Sequence, residues 1–189
     1  ALWQAMLSLS FGLVFGEQVF GGRGYAFLNP AAAALAFLFF SFPEAGGDTA
    51  SSPLTAVAVL PGALLLLAFG LISWRILLAV AIGFLAWIAI SGLAAPSPEL
   101  LTASLALGVV HIVAEPTSAA ATNAGRWAYG LMVGALLVIL GMAGQGIGST
   151  ASVVLAALLG SIFAPLIDRI VIFANINRRR RRKWPTSTR

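Results

Sequence analysis

The chain has no cysteine, one histidine and very little charge. Without cysteine it forms no disulfide and supplies no thiolate to zinc or to an iron–sulfur cluster. A single histidine argues against a multi-histidine haem or metal site built by this chain alone. Charged residues make up 9% of the 189 positions, where a soluble domain carries about 25%. With 60% hydrophobic residues and a mean hydropathy of +0.98, a water-soluble fold of this length could not hide its apolar surface. An integral membrane protein is the reading left. The apolar stretches run 16–20 residues rather than ~10 alternating ones, which excludes an outer-membrane barrel and favours helices. The first residues, ALWQAML, have no charged n-region, so no signal peptide is expected.

The basic residues that are present lie unevenly. Six of the eleven fall in one run, residues 178–183. Such a run next to an apolar segment reads as a cytoplasmic juxtamembrane anchor, not as a nucleic-acid-binding patch. The expected division is a helical membrane region over 1–177 and a basic cytoplasmic tail over 178–189.

The expected fold is an all-α polytopic transmembrane helix bundle of about seven spanning helices. They are expected at 2–20, 28–43, 54–72, 74–93, 98–114, 126–143 and 150–174. Turn chemistry separates them: Gly21-Gly22-Arg23-Gly24, Asn29-Pro30, Gly46-Gly47-Asp48, Pro96-Ser97-Pro98, Glu115-Pro116 and the glycines at 144–148. Pro61 is expected to kink the third helix. With the basic run in the cytoplasm, alternation places Arg23, Arg75, Arg126 and Arg169 on that side. Glu44, Asp48 and Glu99 then fall on the other, and the N-terminus is outside. An odd number of spans suits a chain that has lost upstream helices.

Charge within or beside a membrane span is costly and marks functional positions. Glu17 precedes the Gly21-Gly22 pair and reads either as a functional acid or as an interface residue. His111 and Glu115 stand four apart at a helix end, where a shared face makes them a proton or cation relay, or a local hydrogen bond. Asp168 reads as a cation or proton ligand, as one half of an ion pair with another helix, or as a snorkelling position near the interface. In the polar stretch 115–130, EPTSAAATNAGRWAYG, Asn123 is a candidate cap for the next helix. Arg126 in its first turn forms an anion site, suited to phosphate, or is simply a cytoplasmic arginine.

Four stretches together resemble the NqrB/RnfD family, membrane subunits of the sodium-pumping NADH:quinone oxidoreductase and of the Rnf complex. They are LWQAMLSLSFGLVFGEQVFGGRGYAFLNPAAAALAFLFFSFP, ISWRI at 72–76, AEPTSAAATNAGRWAYG at 114–130 and SIFAPLIDRIVIFANINRRRRR at 161–182. The resemblance implies a ten-helix bundle, of which this chain matches roughly the last seven. It implies flavin cofactors, FMN and riboflavin, together with quinone chemistry near the Gly-Gly segment and coupling to Na+ or H+ movement. The implied cofactor-binding positions are Gly21, Gly22, Gly24, Ser52, Thr55 and Arg126. The implied cation or proton path is Glu17, His111, Glu115 and Asp168. The family attaches FMN at Asp-x-x-Ser-Gly-Ala-Thr before Pro-Leu; here the stretch reads GGDTASSPLT. Ser52 occupies the threonine slot and Thr55 is the nearest threonine, which argues against covalent attachment.

The expected role is therefore a subunit of a flavin-dependent electron-transport complex, inactive alone, in the bacterial inner membrane with its C-terminus cytoplasmic. Its partners are other membrane subunits, a quinone and the lipid bilayer, with no nucleic acid. Two further classes stay open: a cofactor-free structural or assembly subunit, and a cation-pathway transporter subunit.

Overall fold

A computed structural model describes residues 2–22, 25–26, 28–45, 53–93, 103–143 and 146–183. The described residues form seven α-helices and no strand. They are α1 (Leu2–Leu13), α2 (Pro30–Ser41), α3 (Pro53–Ala68), α4 (Trp74–Ile90), α5 (Ala103–Gly108), α6 (Asn123–Ala143) and α7 (Thr150–Lys183). Arg23, Gly24, Asp48, Ser52 and Glu99 lie outside the described residues.

Two of the seven, Asn123–Ala143 and Thr150–Arg180, are long and apolar enough to cross a membrane by themselves. Helices α2, α3 and α4 have 12, 16 and 17 residues, below the ~20 that a hydrocarbon core asks of an upright helix. Two expected spans begin or end in a different geometry. Helix α1 passes into a wider π-helical turn at Val14–Gln18, closed by Val19 N–H donating to Val14 O (2.9 Å). Helix α5 does the same at Val109–Val113, closed by Ala114 N–H on Val109 O (3.0 Å). Pro61 sits inside α3 without ending it.

Helix starts follow side-chain chemistry. Asn29 stands before α2 in extended backbone, and its Oδ1 accepts from Ala31 N–H (2.8 Å) and Ala32 N–H (3.1 Å). Pro30 follows at the first helical position, where its missing N–H costs nothing. At α6 the cap is Thr122, whose hydroxyl accepts from Gly125 N–H (3.1 Å). Asn123, the residue expected to cap, instead accepts from Arg75 (2.5 Å).

Small residues set the helix spacing. A side chain at Gly130 would lie 2.5 Å from Ala79 Cβ, and one at Gly134 would lie 2.6 Å from the Phe84 backbone nitrogen. One at Gly83 would strike the Leu131 carbonyl. Helices α4 and α6 therefore meet backbone to backbone, and van der Waals contact replaces a hydrophobic drive that lipid does not supply. The core between α4, α6 and α7 is filled by Ile76, Val80, Phe84, Tyr129, Val133, Leu137, Val153 and Val154. Leu2, Trp3, Met6, Leu60, Leu64 and Phe173 are at the same time 58–73% exposed. A bundle with a dry core and an apolar exterior matches a protein whose solvent is lipid.

Replacement Gly134→Val should destabilise the fold by about 1–3 kcal/mol through overpacking at the α4–α6 crossing. The check is SDS or thermal unfolding in detergent, with Gly62→Ala, where added side-chain atoms meet nothing within 4 Å, as the tolerated control.

Candidate functional site

The polar groups gather at one end of the bundle. There the start of α2, the turn before α4, the 114–122 segment and Asp168 of α7 are tied to one another by hydrogen bonds and a shared small cavity. Between α5 and α6 the backbone leaves regular structure, so its N–H and C=O groups need other partners. Three side chains tie this stretch and the end of α5 to the rest of the bundle.

Asn29 is 2% exposed. While its Oδ1 caps α2, its amide nitrogen donates to Ile112 O (3.3 Å) and to the Glu115 carboxylate. One residue thus fixes the start of α2 against the end of the second π-helical turn. Asp168 performs the second tie. Its carboxylate accepts from Ala121 N–H (2.7 Å), Thr122 N–H (3.1 Å) and the Thr122 hydroxyl (2.5 Å). A side chain at Gly125 would lie 2.5 Å from Asp168 Oδ1, so only glycine leaves room for this contact. Tyr129, fully buried, makes the third by donating from its hydroxyl to Val113 O (3.1 Å).

Beside this knot lies a cavity of about 490 Å³ between α1 and α2. Its walls are mostly apolar, with Leu9, Leu13, Ala31 and Ala34 among them, and Glu17, Glu115 and Thr117 also line it. Glu17 belongs to the first π-helical turn, and Glu115 follows the second by two residues. Such turns insert an extra residue and re-aim the chain beyond them, and they recur at functional sites. Helix α1 comes this close to α2 because Gly12 and Gly16 face Pro30 and Ala34. A side chain at Gly16 would lie 2.7 Å from Pro30 Cα.

The structure unites some candidate residues and separates others. Glu17 and Glu115 share the cavity although 98 positions part them in sequence. His111 and Glu115 do not pair. His111 is exposed with Nδ1 3.3 Å from Leu107 O, and Glu115 turns to Asn29. The expected shared face needed an α-helix through residue 115. The wider turn and its end at Ala114 remove that geometry. Asp168 engages loop amides and a hydroxyl.

Arg126 sends Nε to Ala120 O (3.4 Å) and lines a separate, smaller cavity of about 130 Å³ with Ser73 and Pro116. Gly21 and Gly22 take φ of +102° and +94°, a left-handed backbone that favours glycine. Neither lines either cavity. Thr55 lies in the first turn of α3. Ser52 and Gly24 fall outside the described residues. Of the residues expected around a flavin, Gly21, Gly22 and Arg126 therefore share neither of these two cavities.

Asn29, Thr122 and Gly125 were not among the expected site residues, and each left a trace. Asn before Pro-Ala-Ala is a helix-start signature. A side chain that caps through oxygen still has an amide nitrogen to place elsewhere. Thr122 three residues ahead of Gly125 has the spacing of a cap. No comparable signal marks the π-helical turns.

Replacing Asp168 with Ala should remove three hydrogen bonds from the 114–122 segment and cost about 2–3 kcal/mol of stability. Hydrogen exchange at the Ala121 and Thr122 amides should accelerate before the rest of α6 responds. Unchanged protection at those two amides would refute the assignment.

Known proteins bear on the same stretches. The model of the NQR2, RnfD, RnfE family matches residues 1–53 and 47–177, two pieces that overlap at 47–53. The B-subunit of the Na(+)-translocating NADH-quinone reductase from Yersinia pestis is 32% identical over 242 residues. The match takes in 96% of this chain and 57% of that protein. The proteins of the same name from Stutzerimonas stutzeri and Klebsiella pneumoniae are 30% and 29% identical, over 94% and 96% of this chain and again 57% of theirs. This chain therefore spans little more than half the length of these relatives. The Yersinia match is 242 residues long against 189 here, so the relative carries residues within it that this chain lacks. By the family match over nearly its whole length and by these relatives, the chain belongs to the NQR2, RnfD, RnfE family.

Proposed function

We propose that this chain is a membrane subunit of an electron-transport complex coupled to Na+ movement, and that its own contribution is a cation entry site at Glu17 and Glu115. The observation that carries this reading is the shared cavity, where two acids from distant parts of the chain meet among apolar walls. Two carboxylates in an apolar setting repel each other and favour a bound cation. A hard ion such as Na+ takes oxygen ligands, which Glu17, Glu115 and the Thr117 hydroxyl offer. Asn29 orients Glu115 by donating to its carboxylate, so the acid is held ready and not free to swing into the loop. The relatives' names, which describe a Na(+)-translocating NADH-quinone reductase, support the coupling to sodium. Seven membrane passages, with α1 to α5 completing their spans among partner helices, belong to the same reading, as does a cytoplasmic placement of the polar end with Arg75 and Arg126.

A flavin and a quinone enter through the resemblance alone. The FMN phosphate is disfavoured in the larger cavity, because Glu17 and Glu115 would repel it. The smaller one offers Arg126 but about 130 Å³. The chain's residues fit such a group only in part. The alternative of a cofactor-free structural subunit draws on the altered GGDTASSPLT stretch, where the family match divides.

In the intact complex reconstituted into vesicles, Glu17→Gln with Glu115→Gln should lower Na+ uptake at least about tenfold, equivalent to ~1.4 kcal/mol of cation binding. Uptake at the unaltered rate would reject the entry site. An absorption spectrum of the same complex before and after acid precipitation addresses the cofactor. Flavin absorbance that stays in the supernatant is the expected result. Absorbance in this chain's precipitate would show a covalent bond, and none in either fraction would favour the structural subunit.

A further inference from the structure

The second π-helical turn ends with two carbonyls that lose their helical partners. In a continuing α-helix the Ile112 carbonyl would accept from residue 116, but that residue is Pro116, which has no N–H. The Val113 carbonyl would accept from residue 117, and by then the chain has left the helix. Its last closure is Ala114 N–H on Val109 O (3.0 Å). Side chains from two other elements stand in. Asn29, at the start of α2, donates to Ile112 O (3.3 Å). Tyr129 of α6 donates to Val113 O (3.1 Å). Glu115 is the second residue after Val113, so these two anchors set the direction in which it leaves the helix.

Tyr129 is 0% exposed. A phenylalanine would fill the same core volume, and what the hydroxyl adds is the bond to Val113. The ring has its place because residue 160 of α7 is glycine. A side chain there would lie 2.6 Å from Val133 Cγ2, 3.2 Å from Tyr129 Cε2 and 3.4 Å from the Tyr129 hydroxyl. Glu115 is near enough for its charge to act on the phenol. The cavity that Glu115 shares with Glu17 is nonetheless lined by no described residue of α6 or α7. We propose that Tyr129 is a positioning residue of the cation site: by holding Val113 O it aims Glu115 into the cavity, in the space that Gly160 leaves. Helices α6 and α7 thereby act on a site between α1 and α2 that they do not touch. The inference rests on the cation entry site at Glu17 and Glu115.

In the intact complex reconstituted into vesicles, Tyr129→Phe keeps the ring and removes the bond. It should raise the Na+ concentration for half-maximal uptake about fivefold, equivalent to ~1 kcal/mol, with a smaller change in maximal rate. Gly160→Ala, which crowds the ring from α7, should shift it in the same direction. In a Glu115→Gln chain, Tyr129→Phe should add less than about twofold, because it acts through that carboxylate. An equal shift with and without Glu115 overturns the proposal. So does a Tyr129→Phe complex that unfolds more readily but keeps its Na+ dependence, which is what a purely structural core residue would give. Hydrogen exchange at the Ala114 amide tests the anchor apart from the cation. Faster exchange in Tyr129→Phe is expected, and unchanged exchange overturns the anchoring of Val113. If exchange quickens while Glu115→Gln alone leaves Na+ dependence unaltered, the cation site fails and the positioning role falls with it, although the anchor stands.

Discussion

The backbone between α5 and α6 leaves regular structure inside a protein that has almost no polar material to spare, and the arrangement of the rest depends on that. The N–H and C=O groups of the 114–122 segment need partners that a regular helix no longer supplies. Asp168 reaches across from α7 to take two of the amides, and Asn29 reaches across from α2 to a carbonyl and an acid. These contacts join residues 46 to 86 positions apart. Helices α2, α6 and α7 are thereby held at one end by polar bonds, while along their lengths they are held by packing. The glycines at α4–α6 and α1–α2 let that packing proceed at the distance the polar bonds require.

The same economy accounts for how Glu17 and Glu115 come to share one cavity. A regular helix through residue 115 would have stacked Glu115 under His111. The second π-helical turn ends the helix at Ala114 and leaves Glu115 to Asn29, while the first carries Glu17 toward α2 from the opposite wall. Polar residues few in number are thus used twice: Asn29 as cap and clamp, Thr122 as cap and donor, Arg75 as donor to Asn123 and as a cation over Trp74 (5.5 Å). Trp74 in turn meets Trp127 edge-on with centroids 6.3 Å apart, which pins the start of α4 to the first helical turns of α6.

Much of this was legible in the residues alone. The scarcity of charge pointed to apolar surroundings, and the Gly, Pro and Asn clusters marked the breaks between helices. Helix α6 and the start of α7 were legible because both are long and apolar. Helix ends were less so. The described part of helix α5 starts at Ala103, and residues 98–102 of the expected segment lie outside the described residues. Helix α7 runs to Lys183, where the apolar run suggested an end near 174. Arginine and lysine are good helix formers, so a change from apolar to basic marks a change of surroundings and not of backbone.

The sequence by itself determined the class of protein, its family and which polar residues had to matter, because so apolar a chain leaves only a handful of them. Their partners were decided by the tertiary structure. Whether Glu115 faces His111 or Asn29 depends on one added residue in a helical turn, and no local pattern announces it. Whether Asp168 binds a cation or two backbone amides depends on how near α7 lies to the 121–122 segment, which the glycine at 125 permits but does not dictate. Long-range placement of this kind comes from packing summed over several helices, and short stretches of sequence do not carry that sum.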